Sequence, residues 1–398
     1  MSSVHRPTKS KLAELAGKKV LLVSHNFSMT GSPLLLIEIA REMRRAGLDV
    51  ALTSLLDDAN ASRVLNLASD VVVPIRESMA FADRSDFVIA NTAVTGQWVH
   101  DYLKARPGRA HRLIWWVHEI DTATFGRYVR NLDQVAALIV DSEASLRSWQ
   151  NTGNPLPSVT VVIYPGVRAQ LRETSDQTKF PYASLFEWAF GWYRRYNKTK
   201  IRQHLGVGEK DFLATLIGTY SPHKGHDLFA DCLDHMRAET PSIPIKGLVV
   251  GFASPNAARE FTKRHRLGAE SALSPNRVLP EVVDLSPYYA ASDVFVINTQ
   301  GQGENFGRVT TEAMAFRLPV CGTDAGGTRE IVTPETGFLH PVGTPGQEQL
   351  KANLLQLIND RALARRMGEA AHQRIRDQFS DTKMFERLTD VFHLVDTG

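Results

Sequence analysis

Asp293-Val294-Phe295-Val296-Ile297-Asn298 is an apolar run with polar ends, and Gly303-Glu304-Asn305-Phe306-Gly307-Arg308-Val309-Thr310-Thr311-Glu312-Ala313-Met314-Ala315 follows it. The first reads as a buried strand. The second reads as a loop that enters a helix ending near Phe316. Seven residues separate Glu304 from Glu312, so one carboxylate lies on the loop and the other about a turn inside the helix. At the C-terminal edge of a parallel sheet, this order points two acceptors and several backbone N–H groups into one crevice. A sugar nucleotide carries the complementary groups, hydroxyls and phosphate.

The same strand-to-helix unit recurs along the chain. Lys18-Lys19-Val20-Leu21-Leu22-Val23-Ser24 reads as a first strand, and a helix runs from Pro33 to about Ala46, where Gly47 stops it. Ser32 stands as its cap and Pro33 as its first residue. Asp49–Thr53, Val71–Val73, Phe87–Ala90, Leu113–Val117, Ala136–Val140 and Val159–Ile163 continue the strands. The alternation restarts after residue 205 with Leu213–Ile217, Gly247–Gly251, Val294–Ile297 and Leu318–Cys321, and residues from about Arg361 onward read as helical. This pattern predicts an α/β fold of two Rossmann-like, doubly wound domains facing across a cleft, where strand C-termini meet. The expected divisions are a polar extension over 1–17, an N-terminal domain over 18–170, a linker or insertion over 171–204, a C-terminal domain over 205–377, and a last helix over 378–398 that crosses back to the first domain.

At 398 residues, the chain is long enough for two domains that each bury a core. A net charge of +3 is too weak to argue for nucleic-acid binding. The two cysteines, Cys232 and Cys321, lie far apart, with no metal spacing and no disulfide framework. Residues 1–17 lack the apolar core of a signal peptide, and no apolar run approaches membrane-spanning length. The expected location is cytoplasmic, with any membrane contact peripheral. The segment 180–202 is the exception to an even surface. It is crowded with aromatics from Phe180 to Tyr193 and then carries five cations and no acid between Arg194 and Arg202. It reads first as a linker with a short helix packed on one domain, and second as an element that touches a membrane surface.

Further motifs stand in order around the acidic one. Gly218-Thr219-Tyr220-Ser221-Pro222-His223-Lys224-Gly225 follows the first strand of the second half, Asp324-Ala325-Gly326-Gly327-Thr328-Arg329-Glu330-Ile331-Val332 follows the acidic motif, and Thr336-Gly337-Phe338-Leu339 comes next. The combination resembles the family 4 glycosyltransferases, retaining enzymes with the GT-B fold. The resemblance runs from Lys18 to the C-terminal helix and is strongest from Gly218 to Pro341.

The resemblance implies a nucleotide-diphosphate sugar as donor, a hydroxyl-bearing acceptor and no metal. No Asp-x-Asp occurs in the chain to hold one. Lys224 matches the lysine that binds the pyrophosphate. Thr219 stands where the family usually has arginine, and Arg308, Arg329 or His223 are the candidates to replace that charge. Glu312 matches the glutamate that accepts from ribose hydroxyls. Glu304 matches the one at the donor sugar or its anomeric carbon. Asn305, Phe306 and Gly307 offer backbone N–H groups there. Gly31 and Ser32 open a helix whose N-terminus faces the phosphates. His118 matches a histidine near the reacting centre, and Glu119 beside it is a candidate to orient the acceptor. Each has a plainer reading. A lone glutamate on a helix is usually solvated, His118 fits a structural histidine at a strand end, and Gly326 and Gly327 read equally as a simple turn. A sugar-nucleotide epimerase or hydrolase of similar fold, or a non-catalytic nucleotide-binding protein, are the alternatives. An oxidoreductase is discounted, because Ser24-His25-Asn26-Phe27-Ser28-Met29-Thr30-Gly31 lacks the Gly-x-Gly-x-x-Gly of a dinucleotide site.

Overall fold

The computed structural model describes residues 11–28, 31–56, 71–167, 198–265, 277–282 and 284–396. It divides into two compact units, Met1–Arg168 with Phe379–Gly398, and Ala169–Gln378.

The first unit holds a six-stranded sheet of β1 (Lys19–Ser24), β2 (Asp49–Ser54), β3 (Phe87–Asn91), β4 (Leu113–Val117), β5 (Ala137–Val140) and β6 (Val159–Val162), in the order β2-β1-β3-β4-β5-β6. Each neighbouring pair is parallel. β3, β4 and β5 are buried at every position, which is why they read as unbroken apolar runs. One layer of core, with Leu22, Ile89, Ile114 and Ile139, packs under the helix Gly31–Arg45 and the last helix, Asp381–Asp396. That last helix joins the first unit, with the Phe392 ring 4.5 Å from that of Phe87. The opposite layer holds Trp98, Tyr102, Trp115 and Trp149.

The second unit repeats the plan with β7 (Phe212–Ile217), β8 (Ile245–Phe252), β9 (Val278–Pro280), β10 (Val294–Ile297), β11 (Val320–Thr323) and β12 (Gly337–His340), in the order β12-β11-β10-β7-β8-β9. These pairs are also parallel. Strand order reverses between β1 and β3 in one unit and between β7 and β10 in the other. Those reversals open a crevice at the carboxyl ends of the strands, the usual ligand position in such sheets.

Three sequence expectations need correction. Val71–Val73 is not a strand but a single bridge, Leu52 to Val72. β9 and β12 are strands that the sequence did not announce. Both are short edges, one ending in Pro280 and the other opening on Gly337, so neither carries a long apolar run. A Cβ at Gly337 would stand 2.0 Å from the Val320 carbonyl oxygen, so only glycine lets β12 pair there. Ser32 is not a helix cap. The helix already includes Gly31, and Ser32 and Pro33 lie in its first turn, where proline's missing N–H costs nothing.

Two cations of the 194–202 run are structural. Lys198 and Arg202, on a helix over 198–204, bind the two oxygens of Asp293 at 2.7 and 2.8 Å. The aromatic stretch 180–193 lies outside the described residues. Among the described residues, no helix is long and apolar enough to cross a membrane.

Candidate functional site

The loop leaving β7 turns through Pro222–Lys224 and ends at Gly225 with φ 68°. A Cβ on Gly225 would lie 2.1 Å from the Asn298 carbonyl oxygen, so the tight turn and the close approach both demand glycine. Asn298, at the exit of β10, donates its side-chain N–H to the Gly225 carbonyl at 3.2 Å, and Gln300 N donates to the His223 carbonyl at 2.7 Å. The loops on either side of the strand reversal are thus laced together, and this places Lys224 over Glu304. Lys224 Nζ donates to both carboxylate oxygens, at 2.6 and 2.7 Å. The buried Thr299 hydroxyl donates to Oε1 of the same group. Burial alone would push the Glu304 carboxyl up. The Lys224 charge and the hydrogen bonds from Lys224 and Thr299 overcome that and hold it below the usual carboxylate range.

Gly326 and Gly327 do more than turn the chain. Gly327 N donates to the Glu304 carbonyl at 2.8 Å. Cβ atoms at Gly326 and Gly327 would stand 2.1 Å from the Glu304 carbonyl oxygen and 2.3 Å from that of Asn305. The glycine pair therefore clamps the backbone of the acidic loop from behind. Phe306 is buried beneath it, and Gly307, with φ 94°, turns the chain into the helix Arg308–Ala315. Glu312 lies on this helix and is fully buried, accepting from the Tyr289 hydroxyl at 2.9 Å. Glu304 thus meets Lys224 at the loop, while Glu312, on the helix, is fully buried against the Tyr289 hydroxyl.

Two buried histidines brace these loops. His226 Nε2 donates to the Gly218 carbonyl at 3.1 Å, and His340 Nε2 meets Asn298 Oδ1 at 3.2 Å. Burial pushes both imidazoles down to about 4, so both are neutral at pH 7.

In the first unit a second polar cluster spans the carboxyl ends of β3, β4 and β5. His118 Nδ1 meets Asp141 Oδ2 at 2.7 Å, and its Nε2 meets Asn91 Oδ1 at 2.6 Å. Trp116 Nε1 donates to the other Asp141 oxygen at 2.7 Å. Asn91 Nδ2 donates to the Ser32 carbonyl at 3.3 Å, which links the helix start to the histidine. Glu119 Oε2 accepts from Ala93 N at 2.9 Å and His118 N at 3.0 Å. Burial raises the Glu119 carboxyl, opposed by the neighbouring His118 and these two N–H groups. Thr92, a β-branched residue at φ 79°, is held there by its N–H to the Trp116 carbonyl at 2.7 Å and by Trp115 Nε1 donating to its carbonyl at 2.9 Å. Strain of this kind persists only where surroundings over-determine it. Its hydroxyl meets His25 Nδ1 at 3.2 Å, and burial, then His118, lowers the His25 imidazole.

Comparison with known proteins decides the family. The model described as "Glycosyl-transferase family 4" matches residues 16–177, and that described as "Glycosyl transferases group 1" matches residues 197–374. The chain belongs to the family 4 glycosyltransferases. Curated relatives of this family 4 chain include the D-inositol 3-phosphate glycosyltransferase of Rhodococcus erythropolis, 28% identical over 37% of this chain and 34% of the relative. The GDP-mannose-dependent monoacylated alpha-(1-6)-phosphatidylinositol monomannoside mannosyltransferase of Corynebacterium glutamicum is 27% identical over 49% of this chain and 50% of the relative. The matches thus span a third to a half of the length of these curated relatives. Among solved structures, Anabaena HepE in complex with UDP-glucose aligns with a TM-score of 0.74 at 22% identity, covering 94% of this chain and 98% of HepE. WaaG, a glycosyltransferase involved in lipopolysaccharide biosynthesis, aligns with a TM-score of 0.67 at 16% identity, covering 94% and 99%. The fold is GT-B.

The structure brings together Lys224, Glu304, Asn305, Phe306 and Gly307 in this family 4 chain. It sets Arg308 at the start of the following helix, half-buried. Thr219 is exposed and donates to Glu281 Oε1 at 3.0 Å, so an acid rather than a base stands beside the position of the usual arginine. Arg329 is tied to Asp324 at 2.6 Å, and His223 is exposed beside the lysine. Sequence reading missed Asn91, Asp141, Thr299 and Tyr289. The first three follow or end apolar strands at the carboxyl edge, and a polar residue at a strand exit was the available signal.

Proposed function

We propose that this chain transfers a sugar from a nucleotide-diphosphate donor to a hydroxyl acceptor, with retention of anomeric configuration and without an essential metal. The observation that carries the reading is Lys224, paired with Glu304 where the β7 and β10 loops meet in a family 4 chain. A departing nucleotide diphosphate develops negative charge. A lysine and backbone N–H groups at the entry to the helix Arg308–Ala315 would stabilise it. Glu304, beside Lys224, would meet a donor's sugar or the positive charge at its anomeric carbon. In the first unit, His118 and Glu119 would serve the reacting centre and the acceptor, with Asp141 and Asn91 holding the histidine. The named relatives, one of them GDP-mannose-dependent, support a nucleotide sugar as donor. No carboxylate is assigned as covalent nucleophile, so the working mechanism is a front-face one in which the leaving phosphate helps to deprotonate the acceptor.

The test is a screen of UDP-, GDP- and ADP-sugars with a panel of hydroxyl acceptors, in the presence of EDTA, with the product linkage read by NMR. An α-linked product from an α-configured donor, formed at an undiminished rate with EDTA, is expected. An inverted product, or a rate that returns only with added magnesium or manganese, would sink the corresponding part of the reading.

A further inference from the structure

The ion pair between Lys224 and Glu304 joins two groups that a donor would need separately. Glu304 is rigidly held. Thr299 donates to its carboxylate, Gly327 N donates to its carbonyl, and Gly326 pairs with it in a parallel bridge. Lys224 is the movable partner, an ammonium on a flexible stem with its side chain 29% exposed, against 12% for Glu304. Two neighbouring positions are already engaged elsewhere. Thr219 is neutral and bonded to Glu281, and Arg329 is bonded to Asp324. A diphosphate that approaches Lys224 meets an ammonium already donating to both oxygens of a fixed carboxylate.

We propose that Glu304, anchored by Thr299, sets the affinity of this site for nucleotide diphosphates by competing with them for Lys224. The ammonium passes to the diphosphate when a donor binds and returns to Glu304 when the nucleotide leaves. This rests on the reading of the 218–225 loop as diphosphate-binding. It gives Glu304 a second task beside its role at the sugar, namely weakening retention of the product nucleotide. Removing its charge then tightens nucleotide binding while transfer is lost, the opposite of what loss of a simple donor contact would do.

Isothermal titration of the full chain with UDP, GDP and ADP tests this, using the parent, Glu304→Gln, Glu304→Ala, Lys224→Met and the double variant Glu304→Gln with Lys224→Met. Both Glu304 variants are expected to bind the preferred nucleotide about tenfold more tightly, the worth of one charge-assisted hydrogen bond. In the Lys224→Met background, the change at Glu304 is expected to have no effect. Unchanged or weaker binding by both Glu304 variants overturns the inference. So does tightening that persists without Lys224, which would reflect repulsion acting directly on the phosphates. A parent that binds nucleotide but gains nothing at Glu304 overturns the inference alone, whereas a parent that binds none of the three overturns the diphosphate reading with it.

Discussion

At the scale of single residues, the second unit depends on groups that satisfy one another across loops. Glu312 is the clearest case, because a fully buried carboxylate must find donors. The Tyr289 hydroxyl is one. Tyr289→Phe keeps the ring, which packs near Phe295 and Phe316, and removes only that donor. The expected cost is about 1–3 kcal/mol of stability, seen as a lower urea midpoint at unchanged slope. A midpoint equal to the parent's would show that Glu312 does not rely on this bond. Residue identity also shows where reading the sequence stops short. The Glu304–Glu312 spacing correctly put one acid on a loop and one on a helix. Spacing alone did not reveal that Glu312 is buried under Tyr289 while Glu304 is held by Lys224, because those partners are 23 and 80 residues away.

At the scale of elements, the strand reversal between β7 and β10 positions the Lys224–Glu304 pair, and the loops around it are held by two neutral histidines. His226 and His340 sit at about 4 in the folded protein, against an ordinary value of 6.5. The unfolded chain therefore binds protons first as pH falls. The stability these histidines contribute is full above about pH 6.5 and is lost progressively toward pH 4, by roughly 1.4 kcal/mol per pH unit for each. Glu304, held below its ordinary value, adds stability that is full above about pH 4.5 and is lost as pH falls further. Urea midpoints measured from pH 7 to pH 4 are expected to fall, and His340→Gln to make that fall shallower. An unaltered slope in that variant would contradict the assignment. Most elements were legible because central parallel strands are continuous apolar runs, as in β4 and β10. β9 and β12 were not, because edge strands of three and four residues bury too little to leave such a run. The start of the first long helix was misread for a different reason. Ser-Pro is a strong local cap signal, yet here both residues lie inside the first turn.

At the scale of the whole molecule, the chain is two parallel α/β units, and its last helix packs on the first of them. Phe392 is fully buried against Phe87. Phe392→Ala is expected to cost the first unit about 3–5 kcal/mol, with an earlier unfolding transition in calorimetry. The second unit's transition is expected to stay in place, and a shift of both together would show that they unfold as one. The central claim is that the β7 and β10 loops receive a nucleotide-diphosphate sugar through Lys224. Its most direct test is the rate of nucleotide release from the preferred UDP-, GDP- or ADP-sugar by the parent and by Lys224→Met. The account predicts turnover by the parent and a loss of about a hundredfold or more in the variant. Equal rates in the two proteins, or no turnover of any nucleotide sugar by the parent, would contradict it.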